Sequence, residues 1–198
     1  MLRHLFSLSL LLLCLPCTAE TVRMGFSNNK PPYILKGGGG IEVELVKAAL
    51  SYSGHSLKPS YFEKKNLLQA IQHGRVSAIA NVHTSVNDDA LFYSQTYITF
   101  QNYAISHLSS QCKIPNIESL KQYRTVAWQY AHNHLGPEFR KHFNISSPLF
   151  GTSYFEHRDQ VAQNRMFWQE KIEVILVDKL LFEWHRAQLS RSIDTDKK

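Results

Sequence analysis

The sequence predicts an α/β fold built from two lobes, and three features of the chain point to it. Apolar segments of strand length alternate with segments whose apolar residues recur at helical spacing. In the first half the order is strand, helix, strand, helix, strand, which is typical of a parallel sheet with helices on its faces. The second half repeats the β-α-β order on its own. We therefore expect two lobes with a cleft between them.

The first 19 residues have the character of an export signal. Arg3 precedes a leucine-rich run, Leu5 to Leu15, which is too short to span a bilayer as a helix. Cys17-Thr18-Ala19 then supplies the small residues that a signal peptidase reads, which predicts cleavage before Glu20 and a soluble periplasmic protein. A lipid anchor on Cys17 is the alternative, but the two residues before it fit such an anchor poorly. We expect no stable membrane insertion after cleavage.

Composition narrows the possible functions of the remaining chain. About 180 residues suffice for one domain with a substantial core or for two small ones. The net charge of +6 is scattered, with no basic cluster that alternates with aromatic residues, which argues against a nucleic-acid partner. Cys112 is the one cysteine left after cleavage, so no internal disulfide can form, and a buried, unreactive thiol is expected.

The first half contains a loop that is rich in proline and glycine, between its first strand and first helix. This loop runs from Ser27 to Gly40, where Pro31-Pro32 forces extended backbone and the four glycines, Gly37 to Gly40, must be flexible or take positive φ. The predicted elements around it are strands at Val22 to Phe26, Leu57 to Phe62 and from Val76 onward, and helices at Ile41 to Tyr52 and from Leu67 to near Gly74.

The stretch from Val76 to Tyr97 is the part of the first half that most suggests a ligand site. Its apolar opening, Val76 to Ala80, has strand character, and Thr84 to Asp89 then supply short polar side chains. In an open α/β sheet, small ligands meet the loops that leave the carboxyl ends of strands. An ordinary connection between a strand and a helix is the alternative interpretation.

The second half begins with a long alternating strand, Tyr97 to Ser106. Its remaining predicted elements are helices at Ile117 to Tyr123, His134 to Phe143, Asp159 to Gln169 and Lys179 to Leu189, and strands at Thr125 to Trp128, Leu149-Phe150 and Ile172 to Val177.

Several segments together resemble the bacterial extracellular solute-binding proteins of family 3, the polar amino-acid-binding type. They are the opening VRMGFSNNKPPY, the glycine turn into IEVELVKAAL, the segment NLLQAIQHGRVSAIA, the stretch from Thr84 to YSQTY, and DQVAQNRMFWQEKIEVILVDKLL. The resemblance covers residues 21–181 and implies the two-lobed α/β fold of periplasmic binding proteins, type II. Lobe one would span residues 20–100, lobe two 101–181 and a polar tail 182–198. Lobe one would lack the C-terminal return segment usual in the family.

The resemblance also implies ligand-binding residues. Tyr33 stands where the family has an aromatic ring against the solute, and packing within the turn is its alternative role. Thr84 matches a pocket threonine that both donates and accepts hydrogen bonds. Asp178 matches the carboxylate that holds the amino group of the ligand, and capping of the following helix is its alternative role.

Two positions depart from the family pattern. Asn87 stands where the family has an arginine that binds the ligand's carboxylate, and Asp88 and Asp89 follow it. Ala131-His132 stands where the family has a Gly-Thr pair that donates to the same carboxylate. With both anchors altered, we expect a cationic or neutral solute rather than a zwitterion, with Asn87 and His132 among the ligand-binding residues. A protonated His132 would offset part of the negative charge.

The resulting hypothesis is an exported protein that captures a small polar solute in the cleft for an ABC-type uptake system, with a permease as partner. A ligand-sensing or degenerate binding-protein-like domain is the alternative. We expect neither catalysis nor a cofactor, because no catalytic triad, nucleophile elbow or phosphate loop is present. No metal is expected either, since His132, His134 and His142 lack further ligands at suitable spacing.

Overall fold

The computed structural model of the protein describes residues 19–28, 30–82 and 91–196. The chain divides into two compact units, which we call unit 1 (Met1–Tyr93) and unit 2 (Ser94–Lys198). The expected signal peptide lies outside the described residues up to Thr18. No helix of the described part of the chain has both the length and the apolar character needed to cross a bilayer.

Unit 1 is a three-stranded parallel sheet with two helices, as its alternating pattern predicts. Its elements are β1 (Thr21–Ser27), α1 (Ile41–Tyr52), β2 (Ser56–Phe62), α2 (Leu67–Gln72) and β3 (Ala78–Ile79), with a 3-10 turn at Lys64–Asn66. The strand order is β2-β1-β3, and both neighbours run parallel to β1. The predicted order of strand, helix, strand, helix and strand is confirmed.

The third strand is shorter than its apolar run suggests. Only Ala78 and Ile79 belong to β3, although Val76 and Ala80 are buried as expected. The Ala80 N–H still donates to the carbonyl of Gly25, at 2.8 Å. Asn81 then adopts a left-handed backbone with φ 61°, which turns the chain out of the sheet. The strand therefore ends at Ile79, ahead of the polar residues Thr84 to Asp89 in the sequence.

The proline- and glycine-rich loop folds back onto the start of α1. Gly37 to Gly40 all have positive φ, as predicted. The carbonyl of Tyr33 accepts the N–H of Glu42 at 3.0 Å, so the loop backbone satisfies a free donor at the helix start. At Gly40 a Cβ atom would lie 2.4 Å from the carbonyl oxygen of Tyr33, so this close approach requires glycine.

Unit 2 is a mixed four-stranded sheet with the order β4-β7-β5-β6. Strand β4 runs antiparallel to β7, whereas β5 is parallel to both β6 and β7. The elements are β4 (Asn102–Ser106), β5 (Thr125–Trp128), α3 (Ala131–His134), α4 (Pro137–Phe143), β6 (Tyr154–His157), α5 (Gln160–Trp168), β7 (Val174–Asp178) and α6 (Lys179–Leu189), with 3-10 turns at Leu108–Ser110 and Glu118–Gln122.

The core of unit 2 contains a cluster of packed aromatic rings. The rings of Phe139 and Phe143 stack with centroids 4.6 Å apart, and Tyr154 meets them at 5.6 and 5.1 Å. All five residues of β7 are buried, as its unbroken apolar run predicts. Cys112 packs against this core but is only partly buried, so the expectation of a buried thiol is met in part.

Three predicted elements of unit 2 differ from the structure. The first strand begins only at Asn102, not at Tyr97. The helix predicted from His134 to Phe143 is two helices, because Gly136 takes φ 93° and Pro137 starts α4. The helix predicted from Ile117 to Tyr123 is a 3-10 turn at Glu118–Gln122.

The short strand predicted at Leu149-Phe150 is wrong. The carbonyl of Leu149 accepts the N–H groups of Ser153 and Tyr154, at 3.1 and 2.8 Å, so this segment is a tight turn. Phe150 makes only an isolated bridge to Tyr154. The strand lies just after this turn and is β6, which was not predicted from the sequence.

Candidate functional site

The carboxyl ends of three parallel strands in unit 2 bring polar side chains to one edge of the sheet. Asp178 is the last residue of β7, Glu156 lies near the end of β6, and the turn after β5 leads to His132. The register pairs Asn102 with Asp178, so β4 starts at the same edge. We call this the carboxyl edge of unit 2, and it is where ligands collect in open α/β sheets.

Four hydrogen bonds converge on the carboxylate of Glu156. The backbone N–H groups of Tyr130 and His132 lie 2.7 Å from Oε2 and 2.9 Å from Oε1 respectively. The His132 ring Nδ1 and the Tyr154 hydroxyl are each 2.8 Å from Oε1. We call these four residues the Glu156 cluster. The left-handed backbone of Tyr130, with φ 66°, makes the turn that brings both N–H groups to the carboxylate.

The electrostatics of the Glu156 cluster favour an ionised carboxylate. Burial alone would raise the pKa of Glu156, but the hydrogen bonds from His132, Tyr154 and Tyr130 outweigh it, and the pKa lies below its ordinary value. Burial, together with the bond to the Glu156 carboxylate, raises the pKa of Tyr154, so its hydroxyl keeps its proton and donates. Because the carboxylate only accepts, His132 Nδ1 carries a proton in this arrangement.

Two side chains of the Glu156 cluster are nearly buried, whereas Tyr130 is 57% exposed. The side chains of His132 and Glu156 are only 8% and 6% exposed. Arg140 on α4 donates to the carbonyl of Asn133 at 3.0 Å, which fastens the turn to the next helix.

Asp178 is confirmed as the N-cap of α6, the alternative role considered from the sequence. Its Oδ1 accepts the N–H groups of Leu180 and Leu181 at 3.0 and 3.2 Å. Its Oδ2 accepts the N–H of Gln101 at 3.1 Å, which ties the start of β4 to the end of β7.

Tyr33 lies in unit 1, in the loop that follows β1, and is 4% exposed. The Nζ of Lys30 lies 5.8 Å from the centre of its ring, a cation–π distance. Its backbone carbonyl supports α1 as described above, so Tyr33 has a packing role in its turn. Contact with a solute stays a prediction.

Two predicted ligand-binding residues, Thr84 and Asn87, lie outside the described residues, as do Asp88 and Asp89. Strand β3 precedes Thr84 and Asn87 in the chain and lies parallel to β1. Tyr33 lies in the loop that follows β1. Within the described residues of both units, no group of three or more His, Cys, Asp or Glu side chains could hold a metal ion.

Glu156 is not among the site residues predicted from the sequence, because strand β6 was not predicted either. Two signals could have found it. Tyr154 and Phe155 are two aromatic residues, which favour strands, directly after a turn that contains Gly151. An acidic residue within a short strand is also unusual and suggests a specific partner.

No protein-family model matches the sequence, and no curated protein matches it. Solved structures do match it. An ancestral arginine-binding protein bound to arginine is 14% identical, with a TM-score of 0.61 over 90% of this chain and 77% of that chain. An ABC uptake transporter substrate-binding protein from Streptococcus pneumoniae with bound histidine is 15% identical, with a TM-score of 0.59 over 89% of this chain and 72% of that chain.

A histidine kinase sensor domain with similarity to periplasmic binding proteins is also 15% identical, with a TM-score of 0.57 over 86% of this chain and 73% of that chain. At these identities the likeness shows the fold alone. The chain has the two-lobed α/β fold of periplasmic binding proteins, and it is shorter than these three structures.

Proposed function

We propose that this protein is an exported binding protein that captures a small polar solute and performs no chemistry on it. The observation that carries the proposal is the placement of Asp178 and His132 at the carboxyl ends of the neighbouring parallel strands β7 and β5. In this fold such edges collect ligand groups. Structures with the same fold include proteins bound to arginine and to histidine, which supports capture of a small polar molecule.

The proposed contacts are Tyr33, Thr84, Asn87, His132 and Asp178. Asp178 would bind a cationic group, because three backbone N–H groups hold its carboxylate in place at the carboxyl edge of unit 2. Thr84 and Asn87 enter the proposal through the family resemblance alone. Asn87 in place of an arginine favours a cationic or neutral solute, since an amide cannot replace a bidentate cation.

The proposed setting is the periplasm, after cleavage before Glu20, with delivery of the solute to an ABC-type permease. The signal-like segment and the likeness to an uptake component support this setting. Mass spectrometry of the protein from the periplasmic fraction should find Glu20 at the N-terminus. A diacylated Cys17 would instead place the protein at a membrane surface.

A sensing role is the second candidate, because a histidine kinase sensor domain shares the fold. Once a solute is known, cells that lack this protein distinguish the two roles. Loss of solute uptake supports transport, whereas unchanged uptake with a lost transcriptional response supports sensing.

A thermal-shift screen of the purified chain tests the proposal directly. We expect an amine or another polar solute to raise the melting temperature, since a ligand at 100 times its Kd stabilises by about 2.7 kcal/mol. Asp178→Ala should lose this response. A folded protein that responds to no amine, amino acid, small peptide or sugar would contradict solute capture and favour a degenerate domain.

A further inference from the structure

The Glu156 cluster has the hydrogen-bond donors of an anion-binding site. The carboxylate of Glu156 itself occupies that site. Two backbone N–H groups, a ring N–H and a hydroxyl all point at Glu156, at 2.7 to 2.9 Å. Such charge-assisted bonds are roughly twice as strong as bonds between neutral groups. The donors come from Tyr130 in the turn after β5, from His132 in α3 and from Tyr154 in β6, and they meet Glu156 at the carboxyl edge of unit 2.

The position of Glu156 is not explained by packing alone. A buried carboxylate is costly unless it is fully hydrogen-bonded, and an apolar side chain on β6 would avoid that cost. Here the backbone turns through a left-handed Tyr130 so that its N–H meets the carboxylate. A strained backbone at Tyr130 and the side-chain donors of His132 and Tyr154 therefore hold the negative charge of Glu156 in place. This charge lies at the carboxyl edge, where a solute group is expected.

We propose that Glu156 determines which charge the solute can carry. Its carboxylate occupies the hydrogen-bond donors that would otherwise bind an anionic group of the solute. The protein therefore accepts solutes that have no carboxylate. This inference rests on the proposed solute-binding function and assigns to Glu156 a part in its preference for amines and neutral polar molecules.

Two physical arguments exclude a ligand carboxylate from the cluster. The backbone N–H groups of Tyr130 and His132 have one hydrogen each, and both are already used by Glu156. A second carboxylate placed beside Glu156 would be repelled, most strongly where water is excluded, as it is around these nearly buried side chains. An ammonium group near the carboxyl edge would instead be attracted by both Glu156 and Asp178.

The first experiment removes the internal carboxylate from the full chain. Glu156→Ala leaves a cavity the size of a small carboxylate, lined by the unused donors. We expect its melting temperature to fall by several degrees and to be raised again, saturably, by sodium formate or acetate. Sodium chloride and methylammonium chloride at equal ionic strength should not restore it.

Glu173→Ala is the matched control for this experiment. Glu173 is also a carboxylate of unit 2 that accepts a backbone N–H, that of Arg124 at 2.9 Å, but it is exposed. Neither this variant nor the unmodified chain should respond to formate. A folded Glu156→Ala protein without a formate response would overturn the assignment of the cluster as an anion receptor.

A second variant covers the case in which Glu156→Ala does not fold. Glu156→Gln keeps the shape of the side chain but removes its charge. We expect the amide protons of Tyr130 and His132 to move upfield in NMR spectra, because their hydrogen bonds lose charge assistance. Unchanged amide shifts in Glu156→Gln would contradict the proposal. A yield of refolded Glu156→Ala that formate does not increase would contradict it as well.

Paired ligands test the solute class itself. Agmatine and histamine are arginine and histidine without the carboxylate. We expect the unmodified chain to bind at least one of these amines roughly tenfold or more tighter than its amino acid, and Glu156→Ala to shift that ratio roughly tenfold toward the amino acid. Wild-type binding that requires the α-carboxylate would refute the inference while leaving solute capture intact. If no solute binds but formate restores the melting temperature of Glu156→Ala, the cluster is an anion-binding site and the proposed solute-binding function is wrong.

Discussion

His185 is a buried histidine that should make the protein sensitive to mild acid. It lies on α6, is 4% exposed, and its Nε2 has no hydrogen-bond partner among the described residues. Burial lowers the pKa of His185 below the ordinary value of 6.5, although the charge of Asp159 opposes this in part. The folded protein therefore holds the ring neutral at a pH where the unfolded chain is already protonated.

We predict that the free energy of unfolding is at its full value above pH 6.5 and falls as the pH drops from there toward the folded-state pKa of His185. The unfolded chain binds the proton first in this window, so the loss approaches about 1.4 kcal/mol per pH unit. Urea unfolding between pH 7.5 and 5 measures it. His185→Leu should flatten this dependence.

His73→Leu is the control for that experiment, because His73 is exposed and loses little water on folding. It should leave the pH dependence of unfolding unchanged. If His185→Leu and His73→Leu give the same slope as the unmodified protein, then His185 does not carry the acid sensitivity.

At the scale of elements, Gly40 is the residue on which the start of α1 depends. Gly37 and Gly40 both have positive φ, 96° and 108°, so alanine is strained at either position. A Cβ at Gly40 would also lie 2.4 Å from the Tyr33 carbonyl oxygen, whereas at Gly37 nothing lies within 4 Å. We predict that Gly40→Ala lowers the free energy of unfolding by at least about 1 kcal/mol more than Gly37→Ala does. Equal effects in chemical denaturation would contradict this packing argument.

Asp178 and Asp159 allow helix capping to be separated from solute binding. Asp159 caps α5 by accepting the N–H groups of Val161 and Ala162, as Asp178 caps α6. We predict that alanine at either position costs about 1 to 2 kcal/mol of stability. Asp178→Ala should in addition abolish solute binding in calorimetry, whereas Asp159→Ala should keep it. Retained binding by a folded Asp178→Ala protein would remove Asp178 from the proposed site.

At the scale of the whole molecule, the two units have separate sheets, and the tryptophans report on one of them. Trp128, Trp168 and Trp184 all belong to unit 2. We predict that Gly40→Ala, in unit 1, lowers the unfolding midpoint seen by circular dichroism and leaves the tryptophan fluorescence midpoint unchanged. Each unit supplies its own buried residues, so each can unfold as a unit of its own. A shift of both midpoints together would show that the chain unfolds as one cooperative unit.

The sequence by itself determined the class of fold and most of its elements. Alternating apolar runs and helical spacing predicted β1, α1, β2 and α2 in order, and the unbroken apolar run of β7 predicted a strand buried throughout. These elements could be predicted because the spacing of apolar residues along a helix or a strand follows directly from its backbone geometry. The fold of periplasmic binding proteins, expected from the resemblance, is likewise that of the matching solved structures.

The tertiary structure alone decided what the polar residues do. Whether Asp178 caps a helix depends on the N–H groups of the next turn, and the sequence left that choice open. The role of Glu156 depends on β6 lying beside β5, because only this pairing brings its carboxylate to the N–H groups of Tyr130 and His132, 24 or more residues away in the chain. Such contacts have no local period, since they are set by strand order and not by spacing along the chain.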